Sequence, residues 1–319
     1  MEILVLGYSD VFLRRVLPAL NSCAGVTKIH VASKSKLANQ LSSDLSEKFG
    51  LFFNDYLAAI NASCADLVYI SLPNHLHFIW AKTSLESGLH VVTEKPATLK
   101  LSDTEYLVNL SHKRNLCFAE STVWPFHPNI EIIKNNLISF QDNPIIVDAT
   151  FTVPAFKTDN FRNFIEFGGG AFNDMSAYAV TIGRVLFDDV PYAISGELLS
   201  SDKLSEVDTG FSVKMEFDKG RIIQGTFGFG FEYRNIIEIT GSDFLFELNR
   251  VFSPPSNIEI NLKTTIDNHH KEELHKADSY ANFFDLILAT YNTKEKSKWS
   301  ETLLQDAILT YRLKSKIIP

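Results

Sequence analysis

The chain has 319 residues, 45% of them hydrophobic and 21% charged, which is the make-up of a globular protein large enough for two cores and not of a disordered or fibrous one. Its formal charge of −8 argues against a nonspecific nucleic-acid binder, which needs a basic surface. No apolar run reaches the length of about 18 residues that a membrane-spanning helix requires, so no membrane partner is expected.

Cys23, Cys64 and Cys117 form an odd set without metal-ligand spacing, so neither a disulfide framework nor a metal site is indicated. Free thiols, and the absence of a positively charged leader in Met1-Glu2-Ile3-Leu4, point to the cytoplasm.

Ile3 to Leu6 reads as a short apolar strand ending at Gly7. Asp10 can cap the helix beyond it, whose periodic apolar positions include Val11, Val16, Leu17 and Leu20. A dinucleotide-binding turn would carry G-x-G-x-x-G here, and the chain has Gly7, Ser9 and Phe12 at those three places. Only the first glycine is kept, and a plain strand–turn–helix fits the residues equally well. Lys28 to Ala32 reads as the second strand, followed by Ser33-Lys34-Ser35-Lys36 where an adenosine ribose would lie. An acidic residue there accepts the 2′-hydroxyl of NAD, whereas a small residue with a cation suits the 2′-phosphate of NADP. Ser33 and Lys34 lean toward NADP(H), with NAD(H) as the alternative and a solvated helix start as the plain reading.

The stretch from Ala65 to Pro96 is the most informative. An apolar run, Leu67 to Leu72, is broken by Pro73 and Asn74; a helical segment ends at Gly88; and a second buried-looking strand, Leu89 to Thr93, delivers Glu94, Lys95 and Pro96. Strand, crossover helix and strand make a βαβ unit, hence a parallel sheet. Ligands of open parallel sheets bind beyond the carboxyl ends of the strands, which is where Leu72-Pro73-Asn74 and Lys95 fall. A lysine there can hydrogen-bond a carbonyl oxygen and oppose developing negative charge. His75 and His77 are two apart with no acidic third ligand near, which fits a ligand-facing loop better than a metal pair.

A helix over Ser102 to Lys113 and a strand over Leu116 to Ala119 complete a first domain, 1–120. The segment Glu120 to Pro128, with two prolines and mixed aromatics, marks the boundary to a second, 121–319. There Ile145 to Val153 is strand-like, Phe161 to Gly170 is a loop, and Ala171 to Leu186 is helical. Short strands and turns from Phe211 to Leu262 suggest an antiparallel meander, and helices near Ser279 to Thr290 and Glu301 to Lys314 close the chain. The expected fold is α/β plus α+β: a doubly wound parallel sheet, then a domain on a mostly antiparallel open sheet.

Asp174 and Tyr178, four residues apart on a helix, project from one face, where they can exchange a proton with a substrate oxygen; a helix-start aspartate and a packed tyrosine are the simpler reading. Gly168-Gly169-Gly170 lets backbone approach a ligand, or is a flexible turn. Asn160 and Arg162 can bind sugar hydroxyls or a diphosphate, or form an ordinary loop salt bridge.

Four motifs carry a family resemblance, extended by Pro18-Ala19-Leu20 in the first helix. The four are Pro73-Asn74-His75-Leu76-His77, Glu94-Lys95-Pro96, Asn160-Phe161-Arg162, and Gly168-Gly169-Gly170 with Asp174 and Tyr178 downstream. In order and spacing they resemble the glucose–fructose oxidoreductase / inositol dehydrogenase / rhizopine-catabolism (Gfo/Idh/MocA) family of nicotinamide-dependent sugar oxidoreductases. The likeness runs over nearly the whole chain. Gly7-Tyr8-Ser9-Asp10-Val11 with Arg14-Arg15 further resembles its nucleotide-sugar 3-ketoreductase branch. Ser9 and Phe12 depart from the small residues usual in the phosphate turn, although Phe12 can point into the helix–sheet core and Ser9 can donate to phosphate. Pro125 stands where many relatives carry an arginine.

The resemblance implies hydride transfer between the cofactor and a sugar or nucleotide-sugar hydroxyl or ketone. It places the cofactor against Gly7, Ser9, Asp10 and Val11, against Ser33 and Lys34, against Leu72, Pro73, Asn74 and His77, and against Glu94 and Lys95. Lys95, Tyr178 and Asp174 become the catalytic residues, and Trp124, His127, Asn160, Arg162 and Tyr178 the substrate contacts. It also implies a homo-oligomer, a dimer or tetramer. The open sheet face is the expected surface for this, with Phe227, Phe229 and Phe231 supplying apolar area. A non-catalytic dinucleotide or sugar sensor is the competing reading, resting on Ser9 and Phe12.

Overall fold

The computed structural model describes residues 1–34, 46–201 and 206–317; Ser35 and Lys36 lie outside the described residues. The chain forms two compact units, Met1–Ser121 with Tyr280–Ala307, and Thr122–Ser279 with Ile308–Pro319.

The first unit is built on a six-stranded sheet of β1 (Glu2–Leu6), β2 (Lys28–Ala32), β3 (Phe49–Phe53), β4 (Leu67–Ile70), β5 (His90–Thr93) and β6 (Phe118–Glu120). The order is β3-β2-β1-β4-β5-β6 and every neighbouring pair is parallel. Central strands of such a sheet are covered on both faces and so are mostly apolar. Ile3 to Leu6 and Leu67 to Ile70 have no exposure at all. The order is that of a doubly wound dinucleotide fold, reversing between β1 and β4, which puts the ligand crevice at the carboxyl ends of those strands. The helix after β1 opens with a wide π-type turn, Phe12–Val16, and continues as α1 (Leu17–Ser22). Helices α2 (Tyr56–Ala62), α3 (His77–Glu86) and α4 (Leu101–Arg114) follow. The Asp55 carboxylate caps α2 by accepting from Ala58 N–H.

The second unit carries an eight-stranded sheet. Its strands are β7 (Ile146–Val153), β8 (Ala193–Ser201), β9 (Asp208–Phe217), β10 (Arg221–Phe229), β11 (Arg234–Thr240), β12 (Phe244–Asn249), β13 (Ile260–Ile266) and β14 (His269–His275). The order is β14-β13-β12-β11-β7-β10-β9-β8. Its pairs are antiparallel except β7 with β10. Helices α5 (Pro128–Leu137) and α6 (Ala171–Phe187) contribute to the core formed with one sheet face.

Two expectations are corrected. The segment Tyr280–Ala307 does not belong to the second unit but to the first. Within α7 (Ser279–Thr290) the apolar stripe Phe283, Phe284 and Ile287 is buried, and the Phe284 ring meets Tyr69 edge-on at 5.7 Å. Along α8 (Lys296–Ile317), Leu303 lies in the first core, whereas Leu309, Leu313 and Ile317 lie in the second.

Of the three phenylalanines expected to give the open sheet face apolar area, only Phe231 is exposed, at 38%. Phe227 and Phe229 are 0% and 3% exposed and lie in the core shared with α6, with Phe227 stacked on Phe211 at 5.5 Å. Side chains two apart share a strand face, so their neighbours point the other way. That other face carries Asp148, Thr150, Ser212, Lys214, Gln224 and Thr226 around an open concavity of about 510 Å³, with Ile146 exposed beside them. Phe227→Ala should therefore destabilise the protein by about 3–5 kcal/mol, while Thr226→Ala should stay within about 0.5 kcal/mol. Urea denaturation of the two variants checks this.

Candidate active site

The turn after β1 is set by Gly7. Its N–H donates to Ala32 O at 2.9 Å, its φ is +101°, and a Cβ there would stand 2.2 Å from Ser71 O. Only glycine fits. Ser9 Oγ accepts from Phe12 N–H at 3.0 Å and shares a hydrogen bond with Ser71 Oγ at 2.6 Å, so Ser9 and not Asp10 caps the helix. Asp10 is exposed and pairs loosely with Arg14 at 3.7 Å, and Val11 is half-buried. Phe12 is fully buried in the helix–sheet core, as the sequence allowed, so it does not obstruct the turn.

At the end of β2, Ser33 is buried with its N–H donating to Phe53 O at 3.0 Å. Lys34 is exposed, with its ammonium 5.2 Å from the centre of the Tyr56 ring. Ser33 and Lys34 put no carboxylate at this strand end, which fits a 2′-phosphate better than a free 2′-hydroxyl.

Beyond β4 and β5 the loops are tied by main-chain hydrogen bonds. Leu72 and Pro73 are half-buried, Asn74 is buried and His75 is exposed. His77 requires a correction. It is fully buried, with Nε2 2.7 Å from Leu72 O and Nδ1 2.8 Å from Pro96 O, so both ring nitrogens face the chain itself and none is left for a cofactor. The Glu94 carboxylate accepts from the hydroxyls of Tyr69 and Tyr280, the latter at 3.2 Å. Burial, and then the Glu94 charge, hold the Tyr69 hydroxyl pKa well above its ordinary value. Ala97 N–H donates to Glu120 Oε2 at 2.7 Å, so the half-buried Lys95 stands in a turn held on both sides.

Tyr69, Tyr280 and Glu120 were not singled out from sequence. Tyr69 reads as one more apolar strand residue, and Tyr280 reaches Glu94 across 186 positions of chain.

In the second unit two of the glycines before α6, Gly169 and Gly170, accommodate the protein's own atoms. A Cβ on Gly169 would meet Arg162 O at 2.4 Å, and one on Gly170 would meet Asp208 Oδ1 at 2.3 Å. The other Asp208 oxygen accepts from Phe172 N–H in the first turn of α6. Burial raises the Asp208 pKa, against these backbone hydrogen bonds. Asp174 is buried and lies 3.0 Å from Arg162 Nε. The Arg162 guanidinium also lies 4.8 Å and 4.6 Å from the Phe156 and Phe161 ring centres. Asn160 Oδ1 accepts from Arg162 N–H at 3.1 Å, so Asn160, Arg162 and Asp174 are brought together. Tyr178, one helical turn on and half-buried, packs its ring at 5.1 Å from Phe151 and 5.8 Å from Phe252.

Two expected substrate contacts are packing residues instead. Trp124 is fully buried, its indole N–H donating to Thr181 Oγ1 at 3.0 Å and its ring edge-on to Phe252 at 5.5 Å. His127 is 3% exposed and caps α5, its Nδ1 accepting from Asn129 N–H at 3.3 Å. Burial, reinforced by His275, pushes its pKa down to about 4, so it is neutral near pH 7 and ill-suited to donate a proton. Among the described residues no group of three or more His, Cys, Asp or Glu is placed to hold a metal, and no helix is long and apolar enough to cross a membrane.

Comparison with known proteins places this geometry in context. The family model described as an oxidoreductase family with an NAD-binding Rossmann fold matches residues 1–122, and that of the GFO/IDH/MocA C-terminal domain matches 143–246. The chain is 29% identical over 260 residues to a dTDP-3,4-didehydro-2,6-dideoxy-alpha-D-glucose 3-reductase of Streptomyces violaceoruber, covering 80% of this chain and 75% of that one. It is 28% identical over 317 residues to the reductase of the same name from Actinomadura kijaniata, covering 96% and 92%. The crystal structure of a 3-ketoreductase from Actinomadura kijaniata in complex with NADP and TDP-benzene superposes with a TM-score of 0.87 at 25% identity, over 99% of this chain and 98% of that one. The chain belongs to the Gfo/Idh/MocA oxidoreductase family.

Proposed function

We propose that the protein is an NADP(H)-dependent ketoreductase acting on a keto sugar carried by a nucleotide, in the cytoplasm. The observation that supports this most is the Glu94-Lys95-Pro96 turn, held at the end of β5 in a parallel sheet whose direction reverses beside the Gly7 turn. The residues fit the cofactor: Gly7 gives the close backbone approach a pyrophosphate needs, and Ser33 with Lys34 leaves room and charge for a 2′-phosphate. When bound, the nicotinamide supplies a hydride to the carbonyl carbon or takes one from the alcohol. Tyr178 is assigned to give the substrate oxygen its proton, and Lys95 to hydrogen-bond that oxygen as charge develops. Asp174, fixed by Arg162, orients the substrate, with Asn160 and Arg162 on the binding loop. The non-catalytic reading loses its motive, because Phe12 lies in the core and Ser9 serves as a helix cap.

Tyr178→Phe keeps the ring packing and deletes the acid. Steady-state kinetics should show the maximal rate falling on the order of 10²- to 10⁴-fold with substrate binding retained. Lys95→Ala should cost at least as much, and the double variant less than the product of the two, since both are assigned to one transition state. Near-normal turnover by Tyr178→Phe would remove it as the acid.

Lys34→Ala should weaken NADPH binding several-fold, as an exposed ion pair contributes at most about 1 kcal/mol, and leave NADH nearly unchanged. Equal losses in titrations with the two cofactors would refute the assignment. A homo-oligomer, dimer or tetramer, is assigned on family resemblance. With Asp148 and Lys214 on its open sheet face, association through that face should weaken with salt. Light scattering that finds only monomer at micromolar concentration would exclude it.

A further inference from the structure

His77, in the first turn of α3, is fully buried, and each ring nitrogen lies against a main-chain carbonyl: Nε2 at 2.7 Å from Leu72 O, Nδ1 at 2.8 Å from Pro96 O. A carbonyl oxygen only accepts, and a neutral imidazole carries one N–H. Neutral, the ring can satisfy one contact and must turn a lone pair on the other. Only the imidazolium donates to both. Burial opposes the charge and pulls the pKa below its usual value; the two carbonyls and then the Glu94 carboxylate favour it, and Lys95 opposes it. Glu94 and Lys95 are the charged groups that act on the ring.

The two carbonyls belong to different loops. Leu72 follows β4, and Pro96 follows Lys95 directly. The turn around Lys95 is otherwise tied by Glu94 N–H to Ile70 O at 2.9 Å and by Ala97 N–H to Glu120. The contact at Pro96 holds the residue next to Lys95 in the chain.

We propose that His77 is a positioning residue for Lys95: donating from both ring nitrogens, it bolts the loop after β4 to the loop after β5 and so sets where the lysine stands. This rests on the assignment of Lys95 made above. The bolt is complete while the ring is protonated and loses one contact as the pH rises and the proton leaves.

The test uses the full chain labelled with ¹⁵N-histidine and ¹³C-lysine, followed by NMR over pH. The signals of His77 and Lys95 are identified by their loss in His77→Gln and Lys95→Ala. Both ring nitrogens of His77 should carry protons on the acid side of its titration, and the Lys95 side-chain signal should shift as the second proton leaves. In His77→Gln the Lys95 signal should differ from wild type. On a keto-sugar substrate kcat should fall on the order of 10²-fold with its pH profile displaced.

A role in stability alone would lower Tm but leave kcat per folded molecule, the pH profile and the Lys95 signal unchanged, and that result overturns the proposal. So does a His77 ring that carries one proton at every pH at which the chain is folded. If His77→Gln does not fold, a wild-type Lys95 signal titrating in step with His77 supports the bolt and independent titration overturns it. These signals need no substrate, so a failed ketoreductase assay bears on the assigned function and not on the bolt.

Discussion

Two main chains meet at Gly7 and Ser71 with no room between them for a side chain. That near-contact puts the turn after β1 beside the loop after β4, at the place where the parallel sheet reverses its winding. It also explains Ser9. With the backbones this close, the hydroxyls of Ser9 and Ser71 pair, and Ser9 accepts the Phe12 N–H that would otherwise be an orphan of the helix start. At the second glycine place the serine thus spends its hydroxyl on the protein's own groups.

From Ser71 onward the carboxyl ends of the strands are linked by polar contacts in a setting where each must be satisfied. The loop after β4 is fastened through His77 to Pro96, and the Glu94 carboxylate collects the hydroxyls of Tyr69 and Tyr280. The Tyr280 ring in turn lies 5.7 Å beneath the Arg15 guanidinium. The late segment that carries Tyr280 thus contributes to the surroundings of a turn laid down in the first third of the chain. In a low dielectric such a network rigidifies what it encloses.

Much of this was legible in the sequence, for identifiable reasons. Buried parallel strands are largely apolar and β-branched, so Lys28 to Ala32 was read to the residue, and β1, β4 and β5 within two. The stripe of α7 was as clear. Strand β3 and the seven-residue α2 escaped because neither is long enough to show a period. The edge strand β14, HHKEELH, is mostly polar and lies beyond the meander read from Phe211 to Leu262. Its turn was the available signal: Asp267 and Asn268 both take positive φ, 49° and 63°, the hairpin conformation that Asp and Asn tolerate. In the site, residue type pointed to Lys95, Arg162 and Asp174, but it could not separate a histidine that faces a ligand from one that faces two carbonyls. Nor could it tell a cleft tryptophan from one whose N–H finds Thr181 inside the core. Those distinctions depend on which backbone arrives opposite the side chain.

The aspartate that closes the start of α6 has a consequence for recognition. A helix N-terminus ordinarily offers positive potential and unpaired N–H groups to an incoming anion. Here Asp208, from β9, has taken that place, and the helix bearing Asp174 and Tyr178 is electrostatically sealed at its positive end. A phosphate cannot be recruited there without evicting a carboxylate, so discrimination at this end of the helix falls to side chains and shape. Gly170 and Asp208 are also sterically linked. A side chain at position 170 would collide with the carboxylate, and removing the carboxylate alone would reopen a helix N-terminus near Asp174 and Tyr178. Position 170 is closed to a side chain on a second count as well, since its φ is +101°.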